Sequence, residues 1–254
     1  MNSAELIAHA QQITPNSELA RHIFSVLDLT NLNEEDNADV IMDLCDQTQT
    51  AWGHVAALCI YPRFIKNVRA KLATSAVNIA TVANFPAGRS ALPAVIQEIK
   101  LALEAGAQEI DVVMPYHVFL SGDELGTFEF IKSCKHVCAD VKLKVILETG
   151  ALGDIESISA ASAIAIEAGA NFIKTSTGKI NSGATLEAAC AMLQTIKTLN
   201  PTHCVGFKAA GGIRNLTQAL HYWSLTETIL GKADASTLRI GASSLLFDIM
   251  HYMR

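Results

Sequence analysis

Short apolar runs alternate with amphipathic stretches along the whole chain. Runs at 24–29, 54–60, 78–84, 109–114, 142–148, 171–175, 203–208 and 237–241 are dense in Val, Ile, Leu and Ala. Continuous apolar runs of this length predict strands covered on both faces. Between them, apolar positions recur with a 3.6-residue period over roughly 34–49, 64–73, 90–105, 123–138, 155–168, 185–199, 215–229 and 243–251, which predicts helices. Residues 2–20 form a ninth helical stretch ahead of the first strand, expected to lie across the bottom of the fold as a lid. An internal echo supports this ruler. Glu104-Ala105-Gly106-Ala107 precedes the run Glu109 to Met114, and Glu167-Ala168-Gly169-Ala170 precedes Asn171 to Thr175. Each copy reads as a helix end, a glycine stop and a strand.

Strict alternation of strand and helix implies a parallel sheet. Eight units in 254 residues give about 32 residues per unit, and a closed (β/α)8 TIM barrel takes about 250. An open doubly wound sheet should offer a G-x-G-x-x-G turn after its first strand, and the sequence has none. The expected architecture is one domain, residues 1–254, with residues 1–22 as an N-terminal helical extension.

Composition narrows the function. A net charge of −6 argues against a nucleic-acid partner, which wants a basic face. The six cysteines (Cys45, Cys59, Cys134, Cys138, Cys190, Cys204) include no C-x-x-C pair, and the eight histidines include no HExxH or HxH. Neither a structural metal site nor a disulfide framework is expected. With no signal-peptide pattern and no apolar run of 18 residues, the expectation is a soluble cytoplasmic protein with no membrane partner.

Charges then stand out where the strands should be oily. Asp28 follows Val26-Leu27, Asp111 interrupts Glu109-Ile110-Val112-Val113, and Glu148 follows Ile146-Leu147. Lys174 follows Phe172-Ile173 and Lys208 follows Gly206-Phe207. In barrel enzymes the reacting groups sit at the C-terminal ends of strands. A single strand-end lysine is readily explained by snorkelling to water. Lys174 and Lys208 lie one βα unit apart, however, so both should share the barrel mouth. Mutual repulsion and lost hydration would lower a lysine pKa there and leave a neutral amine able to attack a carbonyl. Asp111 is expected to balance the remaining charge and move protons.

Three loops look suited to an anion. Thr175-Ser176-Thr177-Gly178-Lys179 offers hydroxyls and a cation, Gly211-Gly212 leads to Arg214, and Gly241-Ala242-Ser243-Ser244 opens a helix. Helix N-termini attract phosphate, and barrels often hold it between the loops after strands seven and eight.

These residues together resemble the deoxyribose-phosphate aldolases. The similar segments include Leu27-Asp28-Leu29-Thr30, Cys59-Ile60-Tyr61-Pro62-Arg63-Phe64, Asn84-Phe85-Pro86, Asp111-Val112-Val113 and Glu148-Thr149-Gly150. They continue through Phe172 to Lys179, Gly206-Phe207-Lys208, Gly211-Gly212 and Gly241 to Ser244, in family order from about residue 24 to 246. The resemblance implies a class I, metal-independent aldolase needing no cofactor. It would reversibly cleave 2-deoxy-D-ribose 5-phosphate to glyceraldehyde 3-phosphate and acetaldehyde. By the same resemblance Lys174 is the Schiff-base lysine, Lys208 its perturbing neighbour and Asp111 the proton relay. Thr177 and Lys179 would lie near the sugar hydroxyls and phosphate, with Gly211, Gly212, Gly241, Ser243 and Ser244 as the phosphate cradle. Asp28, Thr30 and Cys59 would line the substrate side.

Two departures accompany it. Ala209 stands where many relatives carry proline, which should loosen the loop after Lys208. Tyr252 falls in the last helix rather than in the mobile tyrosine-ending tail of some members, so slower enamine protonation is expected. A homodimer is compatible with such a chain, although no apolar stripe marks an interface. Another Schiff-base barrel aldolase, a phosphate-binding barrel isomerase and a non-catalytic sugar-phosphate sensor are the competing readings.

Overall fold

The computed structural model describes residues 1–253. Eight parallel strands close into a barrel: β1 Leu27–Asn31, β2 Ala57–Ile60, β3 Asn78–Ala83, β4 Glu109–Val113, β5 Lys142–Ile146, β6 Phe172–Lys174, β7 Gly206–Ala210 and β8 Leu238–Ala242. Each pairs with the next in sequence, and β1 closes the ring against β8. The principal helices are α1 Ser3–Ala10, α2 Ser17–Ser25, α3 Ala38–Asp46, α4 Ile65–Lys71, α5 Leu92–Ala105, α6 Tyr116–Leu120, α7 Glu124–Cys138, α8 Thr149–Leu152, α9 Ile155–Glu167, α10 Leu186–Leu199, α11 Leu216–Leu230 and α12 Leu245–Tyr252. The chain is thus the expected TIM barrel with an N-terminal helical addition.

The two-residue period of each strand sorts its side chains into two cores. Leu27, Leu29, Leu58, Ile60, Ile79, Ile110, Val112, Leu143, Val145, Ile173, Phe207, Leu238 and Ile240 join the shell between strands and helices, and all are fully buried. The barrel interior differs. On its β2–β3 side it is small and apolar, with Ala57, Cys59, Ala80 and Val82 in a separate cluster with Leu32. Bulky branched residues usually fill such interiors. Here the space left by small residues is taken by long charged side chains from β4 to β8 and β1.

The glycine stops of the internal echo are both left-handed, Gly106 at φ +106° and Gly169 at φ +97°. Sequence patterning erred around residue 20. The helical stretch 2–20 is two helices, because Pro15 disfavours helical geometry before it and Asn16 caps a new helix by accepting from the Leu19 amide. Residues 24–25 therefore end α2 instead of starting β1. α1 is also no bottom lid: it packs along α10 and α11 in the outer helical layer. The predicted helix 34–49 is shorter, and a tight hairpin follows it, Gln49–Thr50 against Gly53–His54, turning through Gly53 at φ +126°. Among the described residues no helix is long and apolar enough to cross a membrane.

Candidate active site

A cavity of about 320 Å³ opens at the C-terminal ends of the strands, and Lys174 lies at its floor. Thr30, Thr177, Lys179, Gly211, Gly212, Gly241, Ser243 and Ser244 all line it, so the structure brings these sequence candidates together. Arg214 joins them from the loop after β7. Asp111, Lys208, Asp28 and Cys59 do not line it. All four are fully buried, and Asp111 bonds Lys174 directly.

Strand register creates this arrangement. Asp111 pairs with Lys144 across β4–β5, Lys174 with Lys208 across β6–β7, and Lys208 with Arg239 across β7–β8. Side chains in register on one face of adjacent strands touch. Lys174 Nζ donates to Asp111 Oδ2 at 2.9 Å, and Lys208 Nζ donates to the same oxygen at 2.8 Å. Lys208 also reaches Asp28 Oδ2 at 2.5 Å. Lys144 Nζ lies 2.7 Å from Asp111 Oδ1, 2.7 Å from Glu109 Oε2 and 3.2 Å from Asp28 Oδ2. Arg239 bonds Asp28 at 2.7 Å and grips Glu109 with both terminal nitrogens at 2.9 and 3.0 Å. Its guanidinium stacks on the Phe172 ring, 5.3 Å from the centroid. That ring fits only because position 206 is glycine: a Cβ there would meet Phe172 Cε1 at 2.2 Å. Gly241 similarly leaves room for Lys208, whose Cε a Cβ would meet at 3.0 Å.

These surroundings treat the lysines differently. Burial pushes the Lys174 amine below its ordinary pKa; Asp111 pulls it back, and Lys208 adds to the fall. Burial would also lower Lys208 and Lys144, but the carboxylates outweigh it and hold both ammonium groups above their usual range. Asp111 is held well below the usual carboxylate range: desolvation opposes this, but Lys144, Lys174 and Lys208 prevail. Like-charge repulsion contributes to lowering Lys174, but desolvation comes first.

The loop hydroxyls bond within the protein. Thr175 and Ser176 donate to the Ala210 carbonyl at 2.9 and 2.6 Å and stitch β6 to β7. Thr177 donates to Glu148 Oε2 at 2.6 Å. Glu148 itself adopts a left-handed conformation, φ 58°, and burial raises its pKa. Lys179 Nζ bonds the Leu32 carbonyl at 2.6 Å, tying the β6 loop to the segment after β1. Toward the cavity the loops offer backbone at Gly211 (φ +93°) and Gly212 (φ +84°), and the exposed Ser243 and Ser244. A Cβ on Gly211 would meet Ser176 Oγ at 2.6 Å. Among the described residues Ser244 makes no side-chain cap on α12.

Sequence reasoning missed Glu109, Lys144 and Arg239 as members of the cluster. The signal was present: Glu109-Ile110-Asp111, Leu143-Lys144-Val145 and Leu238-Arg239-Ile240 each set a charge at the inward phase of an apolar strand.

A closed (β/α)8 barrel with an amine at the floor of its C-terminal mouth, ringed by buried charges, defines a class of lysine-centred barrel sites. Within it, the model of the DeoC/LacD family aldolases matches residues 23–246, and the chain belongs to that family. The fold is similar to that of a proposed deoxyribose-phosphate aldolase from Coccidioides immitis, at 26% identity and a TM-score of 0.83, covering 99% of this chain and 98% of that one. It is also similar to QR15, an aldolase, at 29% identity and a TM-score of 0.77, covering 90% of this chain and 96% of that one. The tetrameric deoxyribose phosphate aldolase from Aeropyrum pernix shares the fold at 23% identity and a TM-score of 0.75, over 99% and 97% of the two chains.

Proposed function

We propose that this aldolase acts on 2-deoxy-D-ribose 5-phosphate through a Schiff base on Lys174, releasing D-glyceraldehyde 3-phosphate and acetaldehyde. The observation that carries the reading is the Lys174 amine: buried, with its pKa lowered, and lining a cavity whose loops also carry glycines, serines, Lys179 and Arg214. A neutral amine held there attacks an aldehyde; an ammonium cannot.

In this scheme Lys174 Nζ adds to C1 of the open-chain sugar, and loss of water gives an iminium. The iminium draws electrons from the C2–C3 bond, which breaks because the two-carbon product keeps C1 and C2. The C3 hydroxyl loses its proton as C3 becomes the aldehyde of the three-carbon product. That proton leaves through water toward the Asp111–Lys208 pair and returns to C2 of the enamine; water then hydrolyses the acetaldehyde iminium and frees Lys174. Phosphate would rest on the Gly211-Gly212 backbone and the Ser243-Ser244 turn at the start of α12, with Lys179 and Arg214 supplying positive charge. Binding remote from the reacting carbon orients the sugar and removes entropy from the barrier. The pocket residues Thr30 and Thr177 would face the sugar hydroxyls.

The test is product analysis with 2-deoxyribose 5-phosphate, comparing the wild type with Lys174→Leu, alongside reduction by cyanoborohydride in the presence of acetaldehyde. The expected result is a two-carbon adduct on Lys174 and no cleavage by the variant. Cleavage that survives in Lys174→Leu would overturn the assignment.

A further inference from the structure

The cations and carboxylates beneath the cavity can be paired off. Asp28, Glu109 and Asp111 supply three carboxylates, and Lys144, Lys174, Lys208 and Arg239 supply four basic groups, all buried. The contacts are unequal. Lys144 touches all three carboxylates, Lys208 touches Asp28 and Asp111, and Arg239 touches Asp28 and Glu109. Lys174 touches only Asp111, through an oxygen it shares with Lys208. Three cations are therefore enough to neutralise three carboxylates, and the fourth is surplus.

We propose that Glu109, Lys144 and Arg239, none of which reaches the cavity, form a positioning array that fixes the charge of the floor and leaves Lys174 as the one amine without a carboxylate of its own. The inference rests on the reading of Lys174 as the nucleophile and explains why that lysine, among three, is the one that gives up its proton most readily. An unpaired buried charge is far more costly than a paired one, so the surplus proton leaves from the amine with the fewest partners. The same imbalance returns when the iminium forms, and conversion to the neutral enamine relieves it.

Other titratable groups face the cluster. Cys59 on β2 is buried within electrostatic reach of Lys208, Asp111 and Lys174, and burial raises its thiol, keeping it uncharged. Glu148, after β5, is buried, is held by Thr177 and bonds none of the four cations; it lies within electrostatic reach of Lys174, and burial raises its pKa, which favours its neutral form. Lys142 meets Glu109 at 3.4 Å from a side chain 42% exposed, where water screens it.

The array makes a signed prediction. The readout is the pH midpoint for adduct formation on Lys174, with acetaldehyde and cyanoborohydride as the probe. Lys144→Met removes one of the three matched cations. Lys174 then becomes the balancing charge, and its midpoint rises by about one to two pH units, as expected for buried charges separated by roughly 6 Å. Glu109→Gln removes a carboxylate, and the midpoint falls. The double variant Glu109→Gln/Lys144→Met restores the balance and returns the midpoint to within about half a unit of the wild type. Damage to packing alone would not be repaired by a second lesion. Where a single variant does not fold, two measurements still decide: the double variant, and nitrogen NMR of the lysine side chains in the wild type. The spectra are expected to show Lys174 losing its proton at a lower pH than Lys144 and Lys208.

Midpoints that move in the same direction in both single variants, or do not move at all, overturn the array. So does a double variant that stays displaced, or a protonated Lys174 beside a neutral Lys144 or Lys208. A wild type that forms no adduct at any pH sinks the nucleophile reading instead, so the two failures are distinguishable.

Discussion

Replacing Lys208 with leucine separates the two ways in which that residue can serve Lys174. Both amines bond Asp111 Oδ2, at 2.8 and 2.9 Å, so their nitrogens stand roughly 5 Å apart. At an effective dielectric near 20, two like charges at roughly 5 Å repel by about 3 kcal/mol, or about two pKa units. This is a ceiling, because Asp111 lies between them and screens part of the repulsion. Desolvation of Lys174 is untouched by the change, so its pKa stays below the ordinary lysine value. The expected outcome for Lys208→Leu is an adduct-formation midpoint raised by about one to two units. The rate at pH 7 would then fall, by at most about a hundredfold. The assay is adduct formation on Lys174 followed by mass spectrometry across pH, together with steady-state cleavage. Activity recovered at alkaline pH measures the charge effect, and any deficit that persists there measures lost proton handling by Lys208. An unchanged alkaline profile would refute the electrostatic part and leave burial as the sole cause.

Other perturbations follow from the same contacts. Lys174→Met should abolish cleavage yet raise the thermal midpoint near pH 6–7. A base whose folded pKa is lowered binds more protons when unfolded, so its destabilising effect is present at low pH and vanishes as pH approaches the unfolded value of about 10.4. Thermal melts should show a gain that shrinks with rising pH; a gain independent of pH would contradict the assignment. Gly206→Ala puts a Cβ 2.2 Å from Phe172 Cε1 and should cost about 1–3 kcal/mol, read by urea denaturation. A midpoint matching the wild type would show that the ring has room to move. Thr177→Val removes the 2.6 Å bond to buried Glu148 and the acceptor for the Lys179 amide, and should raise KM more than it lowers kcat. Equal effects on both, measured in steady state, would mean that the loop acts in chemistry and not in binding.

Much of this molecule was legible from its sequence, for identifiable reasons. The strand runs 78–84, 109–114 and 237–241 fall within a residue or so of β3, β4 and β8, because strands covered on both faces must be continuously apolar. Lys174, Lys208 and Asp111 were legible because a charge in such a run needs an explanation. Glu109, Lys144 and Arg239 were not, because only the closed barrel reveals that they meet: Arg239 and Glu109 are 130 residues apart in sequence. The break at Pro15 was lost in a helical periodicity that continues on both sides of it. The bonds of Thr175 and Ser176 were not legible, because a hydroxyl near a strand end serves a neighbouring carbonyl as readily as an anion, and the Ala210 carbonyl is within reach of both.

The buried ion pairs also bear on how the chain folds. Arg239, on the final strand, finds its carboxylates on the first and fourth, while Lys208 on the seventh bonds the first. An arc of five or six strands would therefore carry Glu109, Asp111 and Lys144 without the arginine that completes them, and without the Asp28 seam to β8. Such an intermediate either stays hydrated at its centre or holds unmatched charge in an oily interior, and neither is a resting place. Ring closure is thereby made all-or-none, and partial barrels should be scarce at equilibrium.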